Sequence, residues 1–438
     1  MKKIMKNIVI IFVILIFSVS LKAYNFSNPK SIALGDGYLT QTTGFYSLDW
    51  NPANLGLVDN YVSINLFHFN TSLSNNSFNI RFYNNLMGKK LSEDDKKDIL
   101  DRIPDEGLEL IGNSAVNIPV ATFSVWKLAL SQNIHILTSA NFSKELFDIA
   151  LNGNEIGRVY DFSESDGEVT GFLEAKIGYG DLLPLSRISS TFKNLPPIYG
   201  GISFGSILGL AHAEVVEAKS KVAVYDSAGT LDVSAVLRTA GYNSKDEEFL
   251  NPLDEGAHGT GHRMSIGFYS SITKEISVGI AFNNLFGKIK WNKNCEEHIV
   301  SIYTDTLTMQ NIEDIETEND TSYAIDGFTQ KIPFEFHLGG SYKYNEFLFM
   351  LDYVQGFKES AFTSSKPKIS LGAEYFAIGW LPVRTGFGFG GGRAAHFSLG
   401  SGFEFNNFEF NWAVRNYYSL FNFSKGVDFA IGMLLKFN

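Results

Sequence analysis

From Ile332 to the C-terminus the chain alternates apolar and polar side chains with a period of two, in stretch after stretch separated by brief turns. Phe334, Phe336, Leu338, Gly340, Tyr342 and Tyr344 interleave with Glu335, His337, Ser341 and Lys343; Ala395, Phe397, Leu399, Phe403 and Phe405 interleave with His396, Ser398 and Glu404; Val427, Phe429, Ile431, Met433, Leu435 and Phe437 close the chain. Such alternation turns one face of an extended backbone toward an apolar phase and the other away from it. Each stretch has about the nine to eleven residues that a tilted membrane strand requires. Several end in Tyr or Phe, as an aromatic girdle would. A soluble sandwich also alternates, but in shorter strands around one core. The pattern therefore predicts an all-β fold, a transmembrane antiparallel β-barrel.

The N-terminus fits an exported chain. Lys2, Lys3 and Lys6 precede the apolar run Ile8 to Phe17, and Leu21-Lys22-Ala23 offers a small residue for cleavage, so residues 1–23 are expected to be a signal peptide. The run is about half the roughly 20 residues that a spanning helix needs. No cysteine lies near the cut, which excludes a cysteine-linked lipid anchor. No other segment is a long apolar helix, which leaves a barrel or a soluble exported protein. Without residues 1–23 the chain keeps 32 basic against 47 acidic residues, a formal charge of −15 that argues against nucleic acid as a partner. The single Cys295 cannot form an intramolecular disulfide.

Between export signal and strands lies Ser31 to Gly56, SIALGDGYLTQTTGFYSLDWNPANLG, where neither helical nor strand periodicity holds. It reads as a compact plug folded inside the barrel. The expected division is 1–23 signal peptide, 24–58 plug and 59–438 barrel, and the length of the last allows about 14 strands. At that diameter wall side chains alone do not fill the lumen, which gives a plug a physical purpose.

Strands are expected at Tyr61–Phe69, Phe78–Tyr83, Val120–Leu130, Ile134–Ala140, Val169–Tyr179, Ile198–Leu208, Ala211–Tyr225 and Leu231–Leu237, with a hairpin across Thr273-Lys274. Leu91–Ile103, opened by Ser92 and Asp95, and Ser143–Leu151, stopped by Gly153, read as short helices. Asn243–His262 and the acidic Asn311–Asp326 read as polar loops.

The candidate site residues are the plug motif Gly35, Asp36, Asn51, Pro52 and Ala53, in which proline sets φ and asparagine caps backbone donors. Glu335, His337, His396 and Glu404 fall on faces expected to line the lumen. Gly386 to Gly392 extends a strand with no helix after it, so it is no phosphate loop. No nucleophile and base stand at a recognisable spacing, and no metal-ligand cluster appears. The expectation is neither enzyme, cofactor nor metal.

The opening Ala33-Leu34-Gly35-Asp36-Gly37-Tyr38 with Trp50-Asn51-Pro52-Ala53-Asn54-Leu55-Gly56 resembles the N-terminus of the FadL-like outer-membrane transporters, and is similar to that of the PorV-like barrels of type nine secretion. Leu91 to Gly107 and Leu195-Pro196-Pro197 look closer to an uncharacterised branch known as a domain of unknown function. Where the FadL-like opening has an acidic, alanine-rich spacing, this chain has Thr40 to Phe45. The resemblance implies a bacterial outer-membrane barrel in contact with lipid, acting as a passive channel for small hydrophobic compounds such as fatty acids. The alternative it implies is a structural or assembly barrel that docks an exported protein.

Overall fold

The computed structural model describes residues 27–153, 155–188, 194–225, 229–243, 248–249, 252–307, 319–360 and 362–437; the expected signal peptide lies outside them. Fourteen strands close into one antiparallel barrel. They are β1 Val62–Asn75, β2 Leu108–Asn117, β3 Leu128–Phe142, β4 Asp166–Leu182, β5 Ile198–Val224, β6 Gly259–Ser271, β7 Ile276–Trp291, β8 Glu335–Tyr344, β9 Phe347–Gly356, β10 Lys368–Ile378, β11 Leu381–Gly390, β12 Arg393–Glu404, β13 Phe408–Tyr417 and β14 Gly426–Phe437. Each pairs with the next, and β14 returns to β1 from Val62↔Phe437 to Ser74↔Gly426. Closure leaves no open strand edge in the wall, the condition for crossing hydrocarbon with strands.

The wall is polar inside and apolar outside. On β1, Asn65, His68, Asn70 and Ser72 are buried toward the lumen, while Phe67 and Leu73 are exposed on the outer face. That inversion is stable only where hydrocarbon covers the outer face. The connections orient the barrel. Residues 345–346 and 379–380 make tight turns at one end, whereas 76–107 and 292–334 are long connections at the other. Short turns face the periplasm and long ones the exterior in such barrels. Trp380 stacks on Phe403 and Phe405, and Phe347 on Tyr375, at the short-turn end, forming one girdle.

Both expected helices form. Glu93–Arg102 starts with reciprocal Ser92 and Asp95 caps, and Lys144–Asn152 follows Ser143 and stops at Gly153. Phe78–Tyr83 is not a strand: Ile80–Leu86 is a helix, nucleated where the Asn79 side chain accepts from the Phe82 N–H. Val120–Leu130 is not one strand either. Val120 and Trp126 adopt positive φ, and the chain turns at Trp126-Lys127 between Phe123–Val125 and β3. Ile198–Leu208 and Ala211–Tyr225 fuse into the single 27-residue β5.

At the outer end β5 leaves the wall and forms a hairpin with 229–240, which pairs with 295–307, which pairs with 319–324. The region expected as an acidic loop thus contributes a strand, because pairing with a neighbour satisfies backbone groups without an apolar face. The expected polar loop 243–262 likewise yields a two-residue ladder, Tyr242–Asn243 with Glu248–Phe249, and the start of β6.

Candidate functional site

The plug begins with the helix Pro29–Ala33, capped by Asn28, whose side chain accepts from the Ser31 N–H at 2.9 Å. Gly35 and Asp36 then adopt left-handed φ of 62° and 70° and reverse the chain, with the Asp36 N–H donating to the Ser31 carbonyl at 2.8 Å. Gly is free to do so, and Asp is among the few others that tolerate it. The Asn51 Oδ1 accepts from the Ala53 N–H at 3.1 Å, opening the 3-10 turn Pro52–Leu57, and its Nδ2 donates across to the Phe268 carbonyl of β6 at 3.0 Å. One side chain therefore shapes the turn and ties it to the wall.

What lets plug and wall meet is a belt of inward-facing glycines. A Cβ on Gly386 would lie 2.1 Å from the Gly35 nitrogen, one on Gly201 would lie 2.2 Å from the Pro52 carbonyl carbon, and one on Gly267 would lie 1.9 Å from the Asn51 Oδ1. Gly180, Gly372 and Gly400 receive the plug in the same way, and Gly339 makes room for the Asp352 carboxylate and for Leu39. No side chain fits at these positions while the plug is seated.

Ion pairs key the plug in register. The Arg415 Nη2 donates to the Asp36 Oδ1 at 2.6 Å, Lys368 binds the other oxygen, and Arg415 also reaches Asp428 at 3.2 Å. Burial by itself raises the Asp36 carboxyl, but Arg415 and Lys368 outweigh it and hold the group well below the usual carboxylate range. A polar cleft of about 30 Å³ adjoins this cluster, lined also by Arg393, His396 and Tyr417. On another side, Lys30 bridges Glu404 and Glu409 at 2.9 and 2.8 Å, and the buried Arg384 holds Glu374, Glu404 and Asn411. At the far end Asp49 pairs with Lys176, beside the Glu174–Arg263 pair at 2.5 Å. Here burial dominates, and the Asp49 carboxyl is pushed up despite its lysine. On β9 the Asp352 Oδ2 accepts from the Tyr38 and Leu39 N–H groups at 2.6 and 2.7 Å.

Inside β3 to β7 the outer lumen changes character. Leu137, Phe172, Ile207, Ile289, Trp291 and Ile332 form one apolar cluster contiguous with the plug's Phe45 and Leu48. The connection between β9 and β10 folds inward to cap it. Phe362 is 2% exposed and lies 5.8 Å from Phe172, with Thr363 and Ser364 buried beside it. The Trp291 ring rests on Gly209 and Gly259, where a Cβ would come within 2.5 and 2.8 Å.

The four residues expected on the lumen face lie there, on two strands that meet different parts of the plug. On β8, His337 contacts Glu335 at 3.2 Å and stands edge-on to Trp50. On β12, His396 lies 3.4 Å from the Gly35 carbonyl, and Glu404 holds Lys30. They form no single constellation. Asp352, Lys368, Arg384 and Arg263 also belong to the site; their sign in the sequence is an inward phase in the strand alternation, and a lone charge in that phase does not disclose its partner strand. Among the described residues no group of three or more potential ligands is placed to hold a metal ion.

A family model described as a family of unknown function, DUF5723, matches residues 52–414. No curated protein matches the chain. Among solved structures, the Pseudomonas putida toluene transporter TodX is similar, with TM-score 0.51 and 11% identity over 96% of this chain and 98% of that one. A Pseudomonas aeruginosa FadL homologue gives 0.50 and 11% over 96% and 100%. A deltaS2S3 mutant of TodX, a monoaromatic hydrocarbon channel, gives 0.53 and 11% over 95% and 98%. At this identity the likeness is one of fold.

Proposed function

The chain belongs to that family of unknown function and is a β-barrel of the bacterial outer membrane, and we propose that it is a passive, non-enzymatic channel for small hydrophobic compounds. The observation that carries this reading is the apolar column of Phe172, Ile207, Ile289, Trp291 and Ile332 beneath the Phe362 cap, inside a wall whose buried lumen face is elsewhere rich in polar and charged side chains. A pore for hydrophilic solutes gains nothing from such a column, whereas an apolar solute leaving water gains about 25 cal/mol per Å² of surface that it buries there. The solute enters from the external connections, displaces the Phe362 cap and descends to the plug. A shift of the plug then opens the way onward, to the periplasm or sideways into the bilayer. In this scheme Asn51, Pro52 and Ala53 fix the wedge that seats the plug, and Gly35 and Asp36 form its latch.

The fold shared with the toluene transporter and the FadL homologue supports the same reading. A second reading, a barrel that docks an exported protein, is favoured by the external sheet. The 27 residues of β5 extend about 90 Å at the usual strand rise, well beyond what a bilayer needs.

Native mass spectrometry of the detergent-solubilised protein separates the two. A bound hydrophobic compound of defined mass, lost in Trp291→Ala, supports the channel. A stoichiometric protein partner, with no small ligand, moves the assignment to docking.

A further inference from the structure

We propose that the helix Ile80–Leu86 and the turn Phe421–Phe423 form a shelf that lies in the headgroup layer of the outer leaflet, with Arg81 facing lipid phosphate. The helical connections pack on the outside of the wall, not over its mouth. Phe82, Ile99 and Ile103 form one cluster with Leu108 of β2 and Ala140 and Phe142 of β3. On these strands Asn117 and Asn133 point into the lumen and bond to each other, so the unbroken pairing of Leu108 with Phe142 puts both on the outer face. Lower on that face, Ile134 and Ile136 are exposed to the lipid belt. The helices begin where the belt ends, and the surface continues from one to the other.

That continuation is apolar. Ile80, Tyr83, Met87, Phe421 and Phe423 are between 40% and 73% exposed. The two pieces are tied, the Ile80 N–H donating to the Ser424 carbonyl at 3.2 Å and the Arg81 guanidinium lying 5.4 Å from the Phe423 ring. Phe421 keeps a left-handed φ of 52°, unusual for an aromatic residue, and so projects from the loop. Just below, Leu73 of β1, opposite Val427 of β14, is 66% exposed on the lipid side. Aromatic rings with an arginine at the edge of a hydrocarbon belt match the composition of membrane interfaces, where the ring is half-immersed and the cation meets phosphate. The occupant is thus the lipid surface itself.

Nitroxide labels test this in a Cys295→Ser background, the native thiol being buried. Met87→Cys and Phe421→Cys are compared with Glu93→Cys, whose side chain is 83% exposed, and with Leu73→Cys, which reports that the barrel is inserted. In phosphatidylcholine vesicles containing phosphatidylglycerol, the ratio of oxygen to nickel-chelate collisions at 87 and 421 is expected to exceed that at 93 by at least about threefold. Arg81→Glu lowers it in those vesicles and leaves it unchanged in pure phosphatidylcholine. If residue 73 reads as buried in lipid while 87 and 421 match 93, the shelf faces water or a protein partner and the proposal is overturned. An Arg81→Glu variant that behaves alike in both vesicles removes the phosphate contact.

Discussion

Two regions of the lumen are filled by opposite means. Inside β3 to β7 the outer lumen is closed by apolar packing, with Phe362 set among Phe172, Ile207, Trp291 and Ile332. The rest, from the Lys30 contacts near the short turns to the Asp36 latch at the outer ends of β10 and β13, is closed by a plug that charges hold in register and glycines hold at contact distance. Dispersion contacts are non-directional and yield to any apolar solute that replaces them. Buried ion pairs are directional, and breaking one leaves a charge without its partner. An apolar solute can therefore enter the apolar region by substitution, but offers nothing that the Asp36 latch would accept instead of Arg415 and Lys368. The apolar region sets what enters and the plug sets when it passes.

The most forceful way to break that contrast is to fill the glycine seat. Gly201→Val puts side-chain atoms within 2.2 Å of the plug backbone, so the plug is expected to leave its seat. Steady conductance in planar bilayers, absent from the parent with its plug seated, is the expected readout. Next is Asp36→Ala, which takes from Lys368 its carboxylate and leaves Arg415 with Asp428 alone. Plug docking is expected to weaken by about 3–5 kcal/mol, the usual result of removing one member of a buried pair, read as protease access to residues 27–58. Phe362→Ala acts on the apolar region alone. It is expected to destabilise by about 3 kcal/mol while speeding uptake of an apolar solute and leaving the plug protected.

Asn51→Ala removes the cap on Ala53 and the tie to Phe268, at about 1–2 kcal/mol, and shifts plug protection without conductance.

The smallest effect is on pH. The Asp36 carboxyl is depressed when docked, so its contribution is complete above the unfolded carboxylate value, about 4, and is lost as pH falls through the docked value. The Asp49 carboxyl is raised, so its protonation on acidification favours the docked state first. Plug protection is expected to hold or rise slightly as pH drops toward 4 and to fall only below it. Asp49→Asn should abolish the rise and keep the fall.

The wall was legible because period-two alternation is imposed by the membrane itself: β8 to β14 form as their alternation predicts. Phe78–Tyr83 misled because six residues cannot separate a strand from one helical turn with Phe82 buried, and the Asn79 cap was the stronger signal. The turn at Trp126-Lys127 carries no Gly, Asn or Pro, so nothing local marks it. In the plug, Asn51-Pro52-Ala53 showed its turn. Its seat was hidden, since Gly201 and Gly386 lie far along the chain and only the closed barrel brings them to Pro52 and Gly35. Arg415 was visible as an inward charge and Asp36 as part of the plug motif, but their pairing was not.

Whether passage requires the plug to move is decided by locking it. A Cβ on Gly37 would lie 3.3 Å from the Met350 Cβ, near disulfide range, so Gly37→Cys with Met350→Cys in the Cys295→Ser background can bridge plug to β9. Uptake of radiolabelled toluene or a fatty acid into proteoliposomes is then compared before and after reduction. Uptake is expected to be lost when the pair is oxidised and to recover to the parental rate on reduction; equal uptake in both states would show that passage does not require the plug to move.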